Sequence, residues 1–204
     1  MSQTDYIIGY GSLLSSYSRQ TYSNIHTPVQ PVMVSGWQRG WTTRYGDEAA
    51  TYLGVRAAGQ SELSAALVPT LITDELRHRE RGYDFTQVDG AAIRLLRPEE
   101  LDLDQARFWI VVNRLTMRAD ESHPIAQSYV DTCLLGCLES GGEAMALHFI
   151  ESTEMWDSHR IDDRDWPTPL YPRGTPATPA EREQIDDLLR AAGIAPASRQ
   201  NPPG

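Results

Sequence analysis

The sequence has few cysteines, no long apolar segment and a shortage of basic side chains. Its two cysteines, Cys133 and Cys137, are four positions apart, which places them on one face of a helix and predicts buried thiols rather than a disulfide framework. No run approaches the roughly 20 consecutive apolar residues that a helix needs to span a bilayer, and residues 1–5 lack the basic and apolar regions of a signal peptide. We therefore expect a cytoplasmic protein that does not bind a membrane.

Acidic side chains outnumber basic ones by 28 to 18, so the formal net charge is −10 at pH 7. A nucleic-acid backbone would be repelled unless the basic residues were segregated onto one face, so no nucleic-acid partner is expected. A chain of 204 residues with 40% hydrophobic side chains can bury one sizeable core. We therefore expect residues 1–204 to form a single domain with a disordered tail over 196–204. The oligomeric state stays open.

Short apolar runs with β-branched side chains dominate the first half of the chain. Tyr6–Ile8 predicts a strand that leads into a glycine-rich loop. Residues 83–96 alternate in polarity around Asp89-Gly90, which predicts a hairpin. Because strands precede most of the helices, an α+β fold is favoured over a doubly wound parallel sheet. Further strands are expected over 32–41, 51–56, 62–71 and 108–115.

Capping residues and apolar spacing predict helices in the rest of the chain. Thr178 and Glu181 form the pattern of a capping box, which is typical of a helix start. Glu80 falls near the end of the first predicted helix, beside the sheet. The predicted helices run over 74–81, from 124 to the glycine pair at 141–142, and from 178 to 193.

The loop Tyr10-Gly11-Ser12-Leu13 is the first candidate binding element. Glycines that flank an aromatic residue let the backbone approach a ligand with its N–H groups unblocked, so such a loop can hold a carboxylate. The simpler interpretation is a strand that ends in an ordinary turn, because short glycine motifs match many unrelated proteins. Ser12 lacks the Gly-x-Ser-x-Gly context of a nucleophilic serine, so a serine hydrolase is a poor fit.

These segments resemble the gamma-glutamylcyclotransferase family, whose members open with a strand followed by a Tyr-Gly-Ser-Leu or Tyr-Gly-Ser-Asn loop. The stretch Arg79-Glu80-Arg81-Gly82-Tyr83 is similar to the context of the family's catalytic glutamate. Tyr129 resembles a family tyrosine that approaches this glutamate. The resemblance covers roughly residues 5–140. It implies a small mixed β-barrel with surrounding helices, followed by a divergent C-terminal extension from about residue 143.

The resemblance implies an enzyme that needs neither a cofactor nor a metal. The α-amine of a gamma-glutamyl compound attacks its own γ-amide carbonyl, which releases 5-oxoproline and an amine, amino acid or dipeptide. Glu80 would be the catalytic acid and base, although the charged run around it also fits a solvated helix face with weak ion pairs. The residues implied to bind this small-molecule substrate are Tyr10, Gly11, Ser12, Leu13 and Tyr129.

Other interpretations of the chain stay open. The first is a noncatalytic binding module for a small gamma-glutamyl ligand, and the second is a structural domain without a deep pocket between Gly11 and Glu80. The sequence does not decide among glutathione, gamma-glutamyl amino acids and gamma-glutamylamines as substrates.

Two further groups of residues have alternative interpretations. Residues 159–165 contain potential metal ligands without a standard spacing, and a surface or lid segment is favoured. Side chains of this region that could line the pocket are Trp156, His159, Arg160, Tyr171 and Arg173. A basic and aromatic group could recognise an anionic substrate or cover a sheet face, and it consists of Arg39, Trp41, Arg44 and Tyr45.

Overall fold

The computed structural model describes residues 4–44, 48–70, 83–97, 101, 103–200 and 202. Within these ranges the helices are α1 Ser16–Ser23, α2 Gln127–Glu151 and α3 Pro179–Ala191. None of these described helices is both long and apolar enough to cross a membrane. The strands are β1 Thr4–Gly9, β2 Gln30–Thr43, β3 Tyr52–Pro69, β4 Tyr83–Val88, β5 Ile93–Leu95, β6 Ala106–Asn113, β7 Ile125–Ala126, β8 Thr153–Glu154, β9 Arg160–Asp162 and β10 Ser198–Arg199.

Seven of the described strands form one mixed sheet in the order β4-β6-β1-β3-β2-β5, with β8 paired to β2. The first strand is internal, antiparallel to β3 and parallel to β6. The long β2–β3 pair shifts register between Ser35 and Trp37 and again between Trp41 and Thr43, and such bulges increase the bend of a sheet. The sheet curls into a half-barrel, so the predicted α+β fold is confirmed.

The strand boundaries differ from the prediction in two places. The segments predicted as separate strands over 51–56 and 62–71 are one strand, β3, which pairs with β2 through 52–57 and 62–67 on either side of a short middle part. The predicted hairpin over 83–96 is wrong, because β4 pairs with β6 while β5 pairs with β2. The Asp89 carboxylate accepts a hydrogen bond from Ala91 N and caps a 3₁₀ turn that separates β4 from β5. Alternating polarity indicates a half-buried strand but does not specify its partner.

The helix predicted to open at Pro124 begins three positions later, at Gln127. Ile125–Ala126 are extended instead, because they pair in parallel with β9. Gly142 has φ 67°, a value that favours glycine, so helical geometry is interrupted where the glycine pair predicted a stop. The chain then continues as helix to Glu151. The predicted helix over 74–81 lies outside the described residues.

The last part of the chain packs onto the same core. The capping box of α3 is present, with Thr178 N donating to Glu181 Oε2 at 2.7 Å and Glu181 N donating to Thr178 Oγ1 at 3.3 Å. Ile185 and Leu189 of this helix are buried in a hydrophobic cluster with α2 and one face of the sheet. In the tail predicted to be disordered, Ser198–Arg199 pair with β9.

Gly136 allows α2 to lie directly on the turn that follows β1. A Cβ atom at this position would lie 2.3 Å from both Leu14 C and Ser15 N, which are backbone atoms that cannot rotate away. Glycine is therefore required for this close packing. The contact matters for the site described below, because Tyr129 lies two turns earlier on the same helix face.

We expect Gly136→Ala to lower the free energy of unfolding by about 3 kcal/mol, since the new methyl group overpacks the contact with the turn. Urea denaturation followed by circular dichroism measures this change. Gly59→Ala is the matched control, because a Cβ at Gly59 meets no atom within 4 Å. Its effect should stay within about 0.5 kcal/mol. Equal effects of the two substitutions would contradict the close contact.

Candidate active site

A cavity of about 380 Å³ opens where β1 ends and the chain turns into α1. Its described walls come from the loop between β1 and α1, from β3, from the first turn of α2 and from the segment between β9 and α3. Tertiary structure thus brings together segments that are distant in sequence. The residues implied to bind substrate all line this cavity: Tyr10, Gly11, Ser12, Leu13 and Tyr129.

The loop after β1 contains unused backbone donors. It forms a single 3₁₀ turn, in which Leu14 N donates to Gly11 O at 2.9 Å and Ser15 N donates to Ser12 O at 3.1 Å. No hydrogen bond within the described part of the chain uses the N–H groups of Gly11, Ser12 or Leu13. Consecutive free N–H groups are suitable ligands for a carboxylate.

Tyr10 anchors this loop to the sheet. Its hydroxyl donates to Val111 O of β6 at 2.6 Å, and its carbonyl oxygen accepts a hydrogen bond from Arg39 Nη1 at 3.3 Å. The ring packs against both hydrophobic clusters of the protein. Tyr10 therefore fixes the position of the free N–H groups that follow it.

Arg39 is fully buried and does not line the cavity. Its guanidinium lies 3.7 Å from the centroid of the Phe149 ring. Burial lowers the pKa of Arg39 to about 10, so the side chain stays charged at neutral pH. Substrate recognition, one of its two predicted roles, is therefore wrong for Arg39. Its hydrogen-bond acceptors are Tyr10 O, Ser64 O, Ser64 Oγ, Phe149 O, Ser152 Oγ and Thr153 Oγ1.

Described neighbours of Arg39 in the same basic and aromatic group also have structural roles. Trp41 is fully buried, and its ring centroid lies 5.0 Å from that of Trp156. Arg44 donates to Asp120 Oδ2 at 2.6 Å, and this hydrogen bond lowers the pKa of Asp120 to about 2. Tyr45 lies outside the described residues.

Tyr129 belongs to a cluster of aromatic side chains beside the loop. Its ring centroid is 5.9 Å from that of Trp41, 5.1 Å from that of Tyr52 and 4.6 Å from that of Tyr171. Each such contact stabilises the cluster by about 1 kcal/mol beyond simple burial. A Cβ atom at Gly11 would lie 2.7 Å from the Tyr129 hydroxyl oxygen, so glycine is required for this approach.

The hydroxyl groups of this cluster stay protonated at neutral pH. Burial raises the pKa of Tyr129 well above its ordinary value. Burial also raises the pKa of Tyr52, and the hydrogen bond that its hydroxyl donates to Glu48 raises it further. Burial raises the pKa of Tyr171 as well, although a side-chain hydrogen bond with Ser12 acts in the opposite direction. The aromatic wall therefore consists of neutral phenols.

The acidic segment after β9 is hydrogen-bonded to the start of α2. Asp163 is fully buried and accepts hydrogen bonds from Ser128 N at 2.8 Å, Ser128 Oγ at 2.6 Å and Leu170 N at 2.8 Å. Arg164 forms a bidentate ion pair with the buried Asp131. Across the described ranges, no group of three or more potential ligands is placed to hold a metal ion.

The same segment brings two side chains to the cavity. Tyr171 is buried against Tyr129, whereas Arg173 is exposed, and both line the cavity. Trp156, His159 and Arg160, which the sequence grouped with them as possible pocket residues, do not line it. Of the five side chains predicted as possible pocket residues, only Tyr171 and Arg173 therefore line the cavity.

Glu48 is a functional candidate that sequence reasoning missed. Its carboxylate lines the cavity and accepts a hydrogen bond from the Tyr52 hydroxyl. The residue lies between β2 and β3, where no motif or periodicity distinguishes it from other surface glutamates. Glu48 is identified as a candidate only by its tertiary position, next to Tyr52 in the cavity wall.

The predicted catalytic residue, Glu80, lies outside the described residues. The described residues nearest to it along the chain are Thr70 and Tyr83, on either side of 71–82. Both line the cavity. The catalytic role of Glu80 stays a prediction.

The two cysteines beside this site are not reactive. Cys133 and Cys137 are both free thiols and fully buried in α2. Burial raises the pKa of Cys137 to about 12, so the nucleophilic thiolate is scarce at neutral pH. The prediction of two core thiols is confirmed.

We expect Asp163→Ala to lower the free energy of unfolding by about 3 kcal/mol, because the half-buried N–H groups of Ser128 and Leu170 lose the buried carboxyl group that accepts their hydrogen bonds. Chemical denaturation measures the change. Asp157→Ala removes an exposed carboxylate that pairs with Arg118, and this control should change the free energy by about 0.5 kcal/mol or less. A loss for Asp163→Ala as small as that of the control would show that the acidic segment is not held by this side chain.

Comparisons with known proteins identify the fold. No family model matches the chain, and no curated protein matches it. A solved structure described as "Gamma-glutamyl cyclotransferase" aligns with a TM-score of 0.54 and 12% identity, over 91% of this chain and 99% of that chain. The structure of uncharacterized protein loc79017 from Homo sapiens aligns with a TM-score of 0.52 and 10% identity, over 90% and 99%. The chain therefore has the fold of the gamma-glutamyl cyclotransferases, as its motifs predicted.

Proposed function

We propose that this chain is a gamma-glutamylcyclotransferase-type enzyme that converts a gamma-glutamyl compound into 5-oxoproline and a free amine, amino acid or dipeptide. One observation carries the proposal. A single cavity unites the unused N–H groups of Gly11, Ser12 and Leu13 with the hydroxyl of Tyr129, and it is bounded by Thr70 and Tyr83 on either side of 71–82. The shared fold supports the same activity.

Substrate orientation is the first task of such a site. The N–H groups of Gly11, Ser12 and Leu13 would hold the α-carboxylate, so that the α-amine lies against the γ-carbonyl carbon of the same molecule. Well-oriented intramolecular reactions reach effective molarities of about 10⁵ M or more. Much of the acceleration can therefore come from a fixed loop, and Tyr10 and Arg39 fix it.

Proton transfer is the second task, and we assign it to Glu80. The amine nitrogen forms a bond to the γ-carbonyl carbon and gives a proton to the Glu80 carboxylate. The bond from that carbon to the leaving nitrogen then breaks, and Glu80 returns the proton to this nitrogen. A free glutamate has a pKa of about 4.3 and an α-amine one of about 7.7 to 8.0, so a catalytic Glu80 needs surroundings that raise its pKa.

Glu48 is the alternative carboxylate for the same task, because it lines the cavity. The Tyr52 hydroxyl donates a hydrogen bond to this carboxylate, which holds it against the aromatic side of the cavity. We therefore assign Glu48 to the cavity wall rather than to proton transfer.

We expect Glu80→Gln to reduce kcat by at least about 1,000-fold, since an amide cannot accept and return the proton. Glu48→Gln, the matched control at the same cavity, should reduce kcat by less than about 10-fold. The assay follows 5-oxoproline by mass spectrometry with glutathione, gamma-glutamyl amino acids and gamma-glutamylamines. Circular dichroism checks that both variants are folded.

The outcomes separate the alternatives. Loss of turnover in Glu48→Gln alone would transfer the acid and base role to Glu48. Wild-type protein that binds these compounds, as measured by calorimetry, but returns them unchanged would indicate the noncatalytic binding module. Protein that neither binds nor converts any of them would refute the proposed function.

A further inference from the structure

The cavity contains a cation that no described residue neutralises by contact. Among the described residues that line the cavity, Arg173 and Glu48 are the charged side chains. The Glu48 carboxylate accepts the hydrogen bond from Tyr52. Within the described ranges, the Arg173 guanidinium has neither a hydrogen bond nor an ion pair, and its Cζ atom lies 5.6 Å from the Tyr171 ring centroid. Its donors are therefore available to a ligand.

The backbone that carries Arg173 is held on both sides. Tyr171 is buried in the aromatic cluster two positions before it. Two positions after it, Thr175 N donates to Thr132 Oγ1 at 2.9 Å, and Thr175 Oγ1 is hydrogen-bonded to Ser15 Oγ at 2.7 Å. A fixed backbone reduces the entropy that is lost when the side chain binds a ligand.

The depth of these residues indicates which part of a substrate each one meets. Gly11 and Tyr129 are buried, Arg173 is exposed, and all three line the cavity, so we assign the buried pair to its floor and Arg173 to its mouth. Under the proposed function the gamma-glutamyl group occupies the floor, because its α-carboxylate binds the loop N–H groups there. The leaving group then extends towards the mouth and towards Arg173.

Resting on this proposed function, we propose that Arg173 binds a carboxylate carried by the leaving group of the substrate. Arginine presents parallel N–H donors that match the two oxygens of a carboxylate. The chain has a net charge of −10, which repels anionic compounds such as a gamma-glutamyl amino acid with its two carboxylates, so a local cation has a large effect on their binding. The preferred substrates are therefore gamma-glutamyl amino acids or peptides rather than gamma-glutamylamines.

Two substrates that differ by one carboxylate test this inference. Gamma-glutamyl-alanine and gamma-glutamyl-ethylamide have the same carbon chain apart from the carboxylate of the leaving group. We expect wild-type protein to prefer gamma-glutamyl-alanine in kcat/KM. Arg173→Met should lower kcat/KM by about 10-fold or more for this substrate, mainly through KM, and by less than about 3-fold for the ethylamide.

Two further variants serve as controls. Arg173→Lys keeps the charge but loses the paired donors, so it should retain an intermediate preference. Arg56→Met removes one positive charge from an exposed ion pair with Glu154 outside the cavity, and it should leave both substrates unaffected. Their circular dichroism spectra should match that of the wild type.

The possible outcomes are distinct. An equal loss of kcat/KM for both substrates in Arg173→Met would show that this residue binds the gamma-glutamyl part. Equal kcat/KM values of the wild type for the two substrates would show that Arg173 binds no carboxylate of the leaving group. Either result overturns the inference while leaving the proposed function intact. If wild-type protein converts neither compound, the assay that includes glutathione decides the proposed function. Calorimetric titration of the two unchanged compounds into wild type and Arg173→Met then decides the role of Arg173, because a loss of affinity confined to gamma-glutamyl-alanine supports the inference and an equal loss overturns it.

Discussion

A buried guanidinium holds together the parts of the protein from which the site is built. Arg39 lies on β2, and its hydrogen bonds reach β3 through Ser64, the end of α2 through Phe149, and the loop after β1 through Tyr10. Burying a charge without a carboxylate partner costs several kcal/mol, and hydrogen bonds from a charged donor offset it by about 1.5–3 kcal/mol each. Each acceptor that is lost leaves more of this cost uncompensated, so Arg39 couples the loop to the sheet and to the helix.

The second constraint is the close contact between α2 and the loop. Gly136 allows the helix to lie on the backbone of the turn, and Gly11 allows the Tyr129 hydroxyl to approach the loop from the other side. Asp163 then connects the start of α2 to the segment that carries Tyr171. The loop and the segment that carries Tyr171 are therefore both fixed to the same helix, which suits the proposed reaction because that reaction depends on substrate orientation.

Sequence patterns gave correct predictions where the interacting residues are close together in the chain. The capping box of α3 depends on residues three positions apart, and the interruption of α2 depends on the backbone freedom of Gly142. Sequence reasoning failed where partners are distant: α1, Ser16–Ser23, has no apolar stripe and was missed, and the hairpin over 83–96 was wrong because both halves pair with other strands. Polarity patterns report burial of a face but not the identity of a neighbour.

By itself, the sequence determined the α+β class, the positions of the longer strands along the chain and a loop at Tyr10–Leu13 that resembles a known binding element. These features follow from residue type and short-range spacing. Only the tertiary structure decided that Tyr129 approaches Gly11, that Arg39 is an internal anchor rather than a ligand for substrate, and that Glu48 and Arg173 share one cavity. These outcomes depend on which distant segments pack together, and a single sequence does not encode that information in any local pattern.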